Sequence, residues 1–199
     1  VPAPTDRRAV TARRVVAGAQ RLTLERGLDG WTMDELAATV GLSRRTVFNH
    51  VPSKLEAVLA VPCRPDEDDP RTRAAVDAFR AGGPTGRLLD DVVHLGSALT
   101  AFPDEIDPDL LRTTRAVLAH EPRAAQAEHA RFHQASEDLV ALILEREGDG
   151  FGAERARLAV KLLVTVFDAS IDQFLAPEES RTLAELFDAT LHAAAELFA

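Results

Sequence analysis

Residues Trp31 to Lys54, WTMDELAATVGLSRRTVFNHVPSK, leave this chain few ways to fold. Thr32 and Glu35 stand in the T-x-x-E spacing of a capping box, which makes Thr32 the N-cap of a helix about two turns long. Met33, Leu36, Ala37 and Val40 recur at helical spacing and give that helix one apolar face. Gly41 follows where a helix end needs a residue that tolerates positive φ, and Leu42 is placed to fill the corner. Ser43 caps a second helix, in which Arg44, Arg45, Thr46, Asn49 and His50 accompany apolar Val47 and Val51. Pro52 ends it, Ser53 caps a third helix, and Lys54 falls in that helix's first turn.

A helix, a glycine turn and a short helix dense in hydrogen-bonding side chains is the helix-turn-helix pattern. The second helix is short enough to lie in a major groove, and its polar face carries groups that match base edges. The same spacing also describes an αα-corner in an ordinary helical domain, with the arginines and asparagine merely solvated.

Composition favours helix throughout. The 199 residues are rich in Ala and Leu, lack Tyr, and show no alternating Val and Ile runs. Charge is uneven. Of 23 Lys and Arg and 32 Asp and Glu, residues 1–60 hold nine and six, a net of +3; the remainder holds fourteen and twenty-six, a net of −12. A chain at −9 overall is a poor polyanion binder, but a basic N-terminal part on an acidic body is not. The single cysteine, Cys63, excludes an internal disulfide and a cysteine zinc site and reads as an inert thiol. No apolar run is long enough to span a membrane, and the start VPAPTDRRAV lacks the apolar core of a secretory signal, so the expected location is cytoplasmic.

Taken in order, residues 5–27 read as a first helix with Val15, Ala19, Leu22 and Arg26 on one stripe, closed by Gly27. Its arginines suit phosphate contacts. Trp31 reads as a core residue. Pro62, Pro65 and Pro70 bracket the acidic run Asp66–Asp69, which divides the chain into 1–60 and 61–199. Helices are expected over 71–81, 85–102, 108–119, 122–148, 153–175 and 178–198. The stripe of the 122–148 helix is read as Ala125, His129, Phe132, Ser136, Leu139 and Ile143. The 153–175 helix is apolar almost all round, and the last carries a stripe from Leu183 to Phe198. A monomer this size has trouble covering both, which points to a homodimer through residues 153–198.

With these residues in view, the chain resembles the TetR family of transcriptional regulators. The likeness covers about residues 7–60, and GLSRRTVFNHVPSK matches that family's turn, reader helix and proline-serine-lysine exit nearly throughout. Two positions depart from it. Thr23 stands where the family has a large apolar residue and Val51 where an aromatic is common, and both are expected to loosen packing.

The resemblance implies an all-α fold of about nine helices. An N-terminal three-helix helix-turn-helix DNA-binding domain precedes a larger helical ligand-binding and dimerisation domain. It implies a homodimer on a pseudo-palindromic double-stranded operator, with repression relieved by a small-molecule effector. Base contacts fall to Arg44, Arg45, Thr46, Asn49 and His50; Phe48 packs on sugar and phosphate; Thr32 and Lys54 meet phosphate. By donor geometry both arginines suit guanine and Asn49 suits adenine, one arginine being left for phosphate. Effector residues do not carry over, because the C-terminal part resembles the family only in helix layout. Polar and aromatic side chains on apolar stretches are the candidates: His94, Phe102, Arg112, Arg115, His129, Phe132, His133, Phe167 and Asp168. His129 and His133 are spaced i, i+4 as a metal pair would be, but no third ligand is dictated, so neither metal nor cofactor is expected. There is no Gly-rich phosphate loop, no H-E-x-x-H and no nucleophile setting, so an enzyme is not expected. The remaining alternative is a helical scaffold that binds protein and no specific DNA.

Overall fold

A computed structural model describes residues 4–59, 70–99, 107–148 and 150–197, with the side chains of 4–9, 71 and 97–99 excepted. Phe102, Cys63 and the acidic run between Pro62 and Pro70 lie outside the described residues. Among the described residues the structure is all-α, with ten α-helices, one short 3-10 turn at Leu28–Gly30 and no strand. The helices are α1 (Pro4–Arg26), α2 (Met33–Thr39), α3 (Arg44–His50), α4 (Lys54–Val58) and α5 (Pro70–Arg80), followed by α6 (Leu88–Leu99), α7 (Pro108–His120), α8 (Pro122–Glu147), α9 (Ala153–Phe174) and α10 (Leu183–Glu196). No helix of the described residues is long and apolar enough to cross a membrane.

The chain forms two compact units. The first comprises residues 1–62 and 107–131, the second residues 63–106 and 132–199. The first unit is therefore discontinuous in sequence, and a division at residue 60 parts helices that pack together in it.

In the first unit α1 is the hub. Val15, Ala19 and Leu22 are buried with Leu28, Trp31, Leu36, Val47, Val51 and Val58, and with Val117 and Ala124 from α7 and the start of α8. Gly18 lets α2 approach: a Cβ there would lie 2.5 Å from Val40 Cγ1. Buried Gln20 donates to Val58 O at 3.0 Å and to Thr114 Oγ1 at 2.8 Å, so one amide links α1, α4 and α7. Glu121 accepts the Leu28 N–H at 2.9 Å, and Arg123 donates to Asp29 at 2.9 Å. A buried polar link such as that of Gln20 lasts because leaving either partner unpaired is costly.

Thr23 does not loosen the packing. Its buried hydroxyl accepts the indole N–H of Trp31 at 3.0 Å and donates to Ala19 O at 2.8 Å. The hydroxyl is what allows a buried tryptophan, which needs a partner for its N–H, to sit against α1. Val51 is also buried in this core.

In the second unit Phe79, Val92, Leu95, Val140, Ile143, Ala156, Val160 and Leu163 form the core, with Phe187 and Leu191 against it. Asp91 and Arg146, both almost fully buried, form an ion pair there. Asp91 also accepts from the Thr85 N–H and hydroxyl, each at 2.8 Å, and Arg146 also donates to Gly82 O at 2.7 Å. These bonds fasten the turn after α5 to the end of α8.

Two readings of the sequence change. The stripe of α8 is only partly the expected one: Ile143 is buried as read, but so are Ala124 and Val140, whereas His129 is exposed. The two ends of the helix serve different cores, so no single stripe runs its length. The last helix starts at Leu183 rather than 178, where Thr182 and Glu185 make a capping box. Its stripe, Leu183, Leu186, Phe187 and Leu191, is used inside the unit. What is left outward is narrower: Leu158 and Leu162 on α9, 58% and 48% exposed, and Leu197.

Candidate nucleic-acid interface

The turn before α3 is fixed by three local devices. Thr32 and Glu35 cap α2 reciprocally, with Thr32 N–H donating to Glu35 at 2.8 Å and Glu35 N–H to Thr32 Oγ1 at 3.1 Å. Trp31 before the cap and Leu36 one turn inside are both buried in the same core, the arrangement of a hydrophobic staple. At the other end Leu42 N–H donates to Ala37 O at 2.9 Å and Gly41 N–H to Ala38 O at 3.1 Å, a Schellman closure with Gly41 at φ 59°. Ser43 then caps α3 by accepting from the Thr46 N–H at 3.1 Å.

On α3, Val47 is completely buried and holds the helix to the core. Arg44, Arg45, Phe48 and Asn49 lie on the opposite, exposed side. Positions 44, 45, 48 and 49 follow the i, i+1, i+4, i+5 spacing that puts all four on one helix face. Phe48 is 39% exposed, unusual for a phenyl group with no reason to meet solvent. The Arg44 guanidinium lies 5.3 Å from its ring centroid and donates to Asp34 at 2.9 Å. Among the described residues no side chain pairs with Arg45. Thr46 is half-buried, with its hydroxyl 2.8 Å from that of Ser43, and His50 is half-buried at the end of the helix.

The expected phosphate contacts have work inside the unit. Lys54 donates to Leu28 O at 3.0 Å and its ammonium lies 4.9 Å from the Trp31 ring centroid. Thr32 has both its N–H and its hydroxyl on Glu35. Those two hydrogen bonds, with Arg26 nearby, hold the Glu35 carboxyl below the usual range. Sequence reasoning passed over Asp34 and Asp29. Each pairs with an arginine distant in sequence, Arg44 and Arg123, and nothing in the local pattern marks either.

The expected effector residues do not gather. Arg112, Arg115 and His129 belong to the first unit, His94, Phe132, His133, Phe167 and Asp168 to the second. His94, Arg112, His129, His133 and Asp168 are exposed. Arg112 donates to Asp109 at 2.7 Å, and His94 Nδ1 lies 2.7 Å from Asp90 O. Phe132 and Arg115 are half-buried, as is Phe167, whose ring meets that of Phe187 edge-on at 6.0 Å. Among the described residues no three His, Cys, Asp or Glu converge as metal ligands would.

Comparison with known proteins bears on the first unit. Residues 15–61 match the family model described as bacterial regulatory proteins, tetR family. No curated protein sequence matches the chain. Among solved structures, one similar fold is that of a protein assigned to the TetR family of transcriptional regulators from Mesorhizobium loti, 19% identical, covering 96% of this chain and 98% of that one, with a TM-score of 0.48. Another is the TetR-family regulator PfmR from Thermus thermophilus, 19% identical, covering 88% of this chain and 93% of that one, with a TM-score of 0.46.

Proposed function

We propose, from the match of residues 15–61 to the tetR-family model, that the chain is a ligand-responsive transcriptional repressor. It acts in the cytoplasm as a homodimer and binds a pseudo-palindromic operator. The observation that carries this reading is the exposed face of α3, where Arg44, Arg45, Phe48 and Asn49 stand together opposite buried Val47. That face combines donors for guanine, an amide for adenine and a flat apolar group for sugar.

Two such helices related by a two-fold axis would enter successive major grooves, which requires an inverted repeat. Exposed Leu158 and Leu162, one turn apart on α9, support pairing through the segment 153–198. A small effector taken up by the second unit, with half-buried Phe132 and Phe167 the residues best suited to an apolar ligand, would act by its differential affinity for the free and DNA-bound shapes. The polar link from Gln20 to α4 and α7 supports a role for α4 in setting the reader's position.

Selection from a randomised duplex pool tests the proposal. The expected result is enrichment of one inverted repeat, bound with an affinity that falls steeply and linearly in log–log form as salt rises, by about 0.9 per phosphate neutralised. Failure to enrich any sequence, or binding indifferent to salt, overturns it and returns the chain to the protein-binding scaffold reading.

A further inference from the structure

We infer that Asp34 is a specificity-determining residue: it holds Arg44 as the guanine reader and leaves the phosphate contact to Arg45. The inference rests on the DNA-binding reading above and concerns how that same face discriminates.

Asp34 lies in the first turn of α2, ten residues before Arg44 at the first position of α3. Its carboxylate accepts from Arg44 Nη1 at 2.9 Å, and both side chains remain more than three-fifths exposed. An exposed ion pair does little for stability, so the consequence of this one lies in where it puts the guanidinium. Two restraints act on it together. Asp34 takes one corner, and the Phe48 ring lies beneath at 5.3 Å from its centroid. The plane and one edge of the fork are thereby set before any DNA arrives.

The free edge matters. With Nη1 on Asp34, the Nε–H and a Nη2–H still point along the other side of the fork. Among the described residues neither has a partner. Two parallel donors on one edge match the O6 and N7 acceptors of guanine in the major groove. A guanidinium already fixed on its opposite edge loses less rotamer freedom when it meets the base.

Arg45 is the opposite case. It is exposed, and among the described residues nothing holds its guanidinium. An unrestrained arm suits the phosphate backbone, which accepts a charge from many arm conformations and carries no sequence information. Asp34 also contributes a negative charge beside the reader, which opposes indiscriminate approach of phosphates. It therefore acts on selectivity twice, by aiming one arginine and by penalising non-specific contact.

The test measures the affinity of wild type, Asp34→Ala, Arg44→Lys and Arg45→Ala for two duplexes: the one selected by wild type from a random pool, and a scrambled version of it. Asp34→Ala should weaken the selected duplex about 2- to 12-fold per half-site, the cost of ordering one long side chain anew. Scrambled DNA should bind as well as before or better. Arg44→Lys keeps the charge and loses the fork, so it should retain scrambled affinity while losing the preference for one guanine in each half-site. Arg45→Ala should weaken both duplexes by the same factor. Selection repeated with Asp34→Ala should show that guanine, and no other position, relaxed. A wild-type chain that enriches an operator, with selected-over-scrambled ratio and guanine preference unchanged in Asp34→Ala and Arg44→Lys, overturns this inference alone. A wild-type chain that enriches no sequence overturns both it and the reading beneath it.

Discussion

Replacing Thr23 by valine tests the most specific packing feature of the first unit. Valine has nearly the shape of threonine, so the substitution opens no cavity and leaves the α1 backbone alone. It removes the acceptor 3.0 Å from the Trp31 indole N–H, in a place where Trp31 is 1% exposed and Thr23 2%. Water has no access there, so the indole donor is left unmade. A buried donor without a partner costs about 1–3 kcal/mol. Ala19 O loses only its second bond, because the carbonyl still accepts along the helix. The added methyl returns up to about 0.8 kcal/mol of burial. The net expectation is destabilisation by roughly 0.5–2 kcal/mol, although the substitution makes position 23 apolar. Urea denaturation followed by far-ultraviolet circular dichroism measures it. A double-mutant cycle with Trp31→Phe isolates the bond: with no indole N–H to satisfy, Thr23→Val should become close to neutral. A Thr23→Val chain as stable as wild type, or a coupling below about 0.5 kcal/mol, would refute the claim that the hydroxyl is there for the tryptophan.

Three further outcomes are expected. Asp91→Ala removes the more deeply buried of the two carboxylates paired with the Arg146 guanidinium, 3% exposed, leaving it only Glu147, and should destabilise by up to about 3–5 kcal/mol in chemical denaturation, whereas Asp91→Asn, which still accepts from Thr85, should cost less. Gly18→Val forces a branched side chain into the space held by Val40 Cγ1, 2.5 Å from the missing Cβ, and should destabilise by roughly 1–3 kcal/mol, read as a lowered midpoint in thermal melts. Glu179, whose carboxylate accepts from the Arg181 side chain, the Arg181 N–H and the Ser180 N–H, is pushed down from 4.5 to about 2. Because the folded value is depressed, its contribution to stability is complete above the unfolded value and is lost as pH falls from about 4.5 towards 2. Carbon-detected NMR of the side-chain carboxyl should show Glu179 still ionised at a pH where exposed glutamates are protonated.

How much of this was legible follows from the range of each interaction. The caps of α2 and α3 and the glycine closure between them span three to six residues. A reader of WTMDELAATVGLS therefore has all the participants in view, and the structure uses them as read. The stripe of α8 was not legible. Ala124 and Ala127 face the first core, Leu139, Val140 and Ile143 the second, and at 3.6 residues per turn these sets point about a third of a turn apart. A single stripe fitted through both puts His129 inside when it belongs outside. Thr23 was visible as a departure but not as a partner, because its meaning depends on an indole eight residues away across a helix end. The effector candidates were chosen as polar groups on apolar stretches, a criterion that ignores which side of its helix each one faces, and five of them face solvent. Asp34 was passed over because an acid in a helix's first turn already has a local reason to be there.

The discontinuity of the first unit has a consequence for the order in which the chain is made. The helix-turn-helix is synthesised by residue 62, but its core includes Val117 and Ala124 and its unit closes only at Arg131. At about 5–20 residues per second, the roughly 70 intervening residues take about 3–14 s to appear. During that interval the nascent N-terminal segment has the turn, the caps and the arginines but not the surface that α7 and the start of α8 supply. The exposed groups of α3 are made well before the packing that steadies their unit, which is completed only when Arg131 has been added.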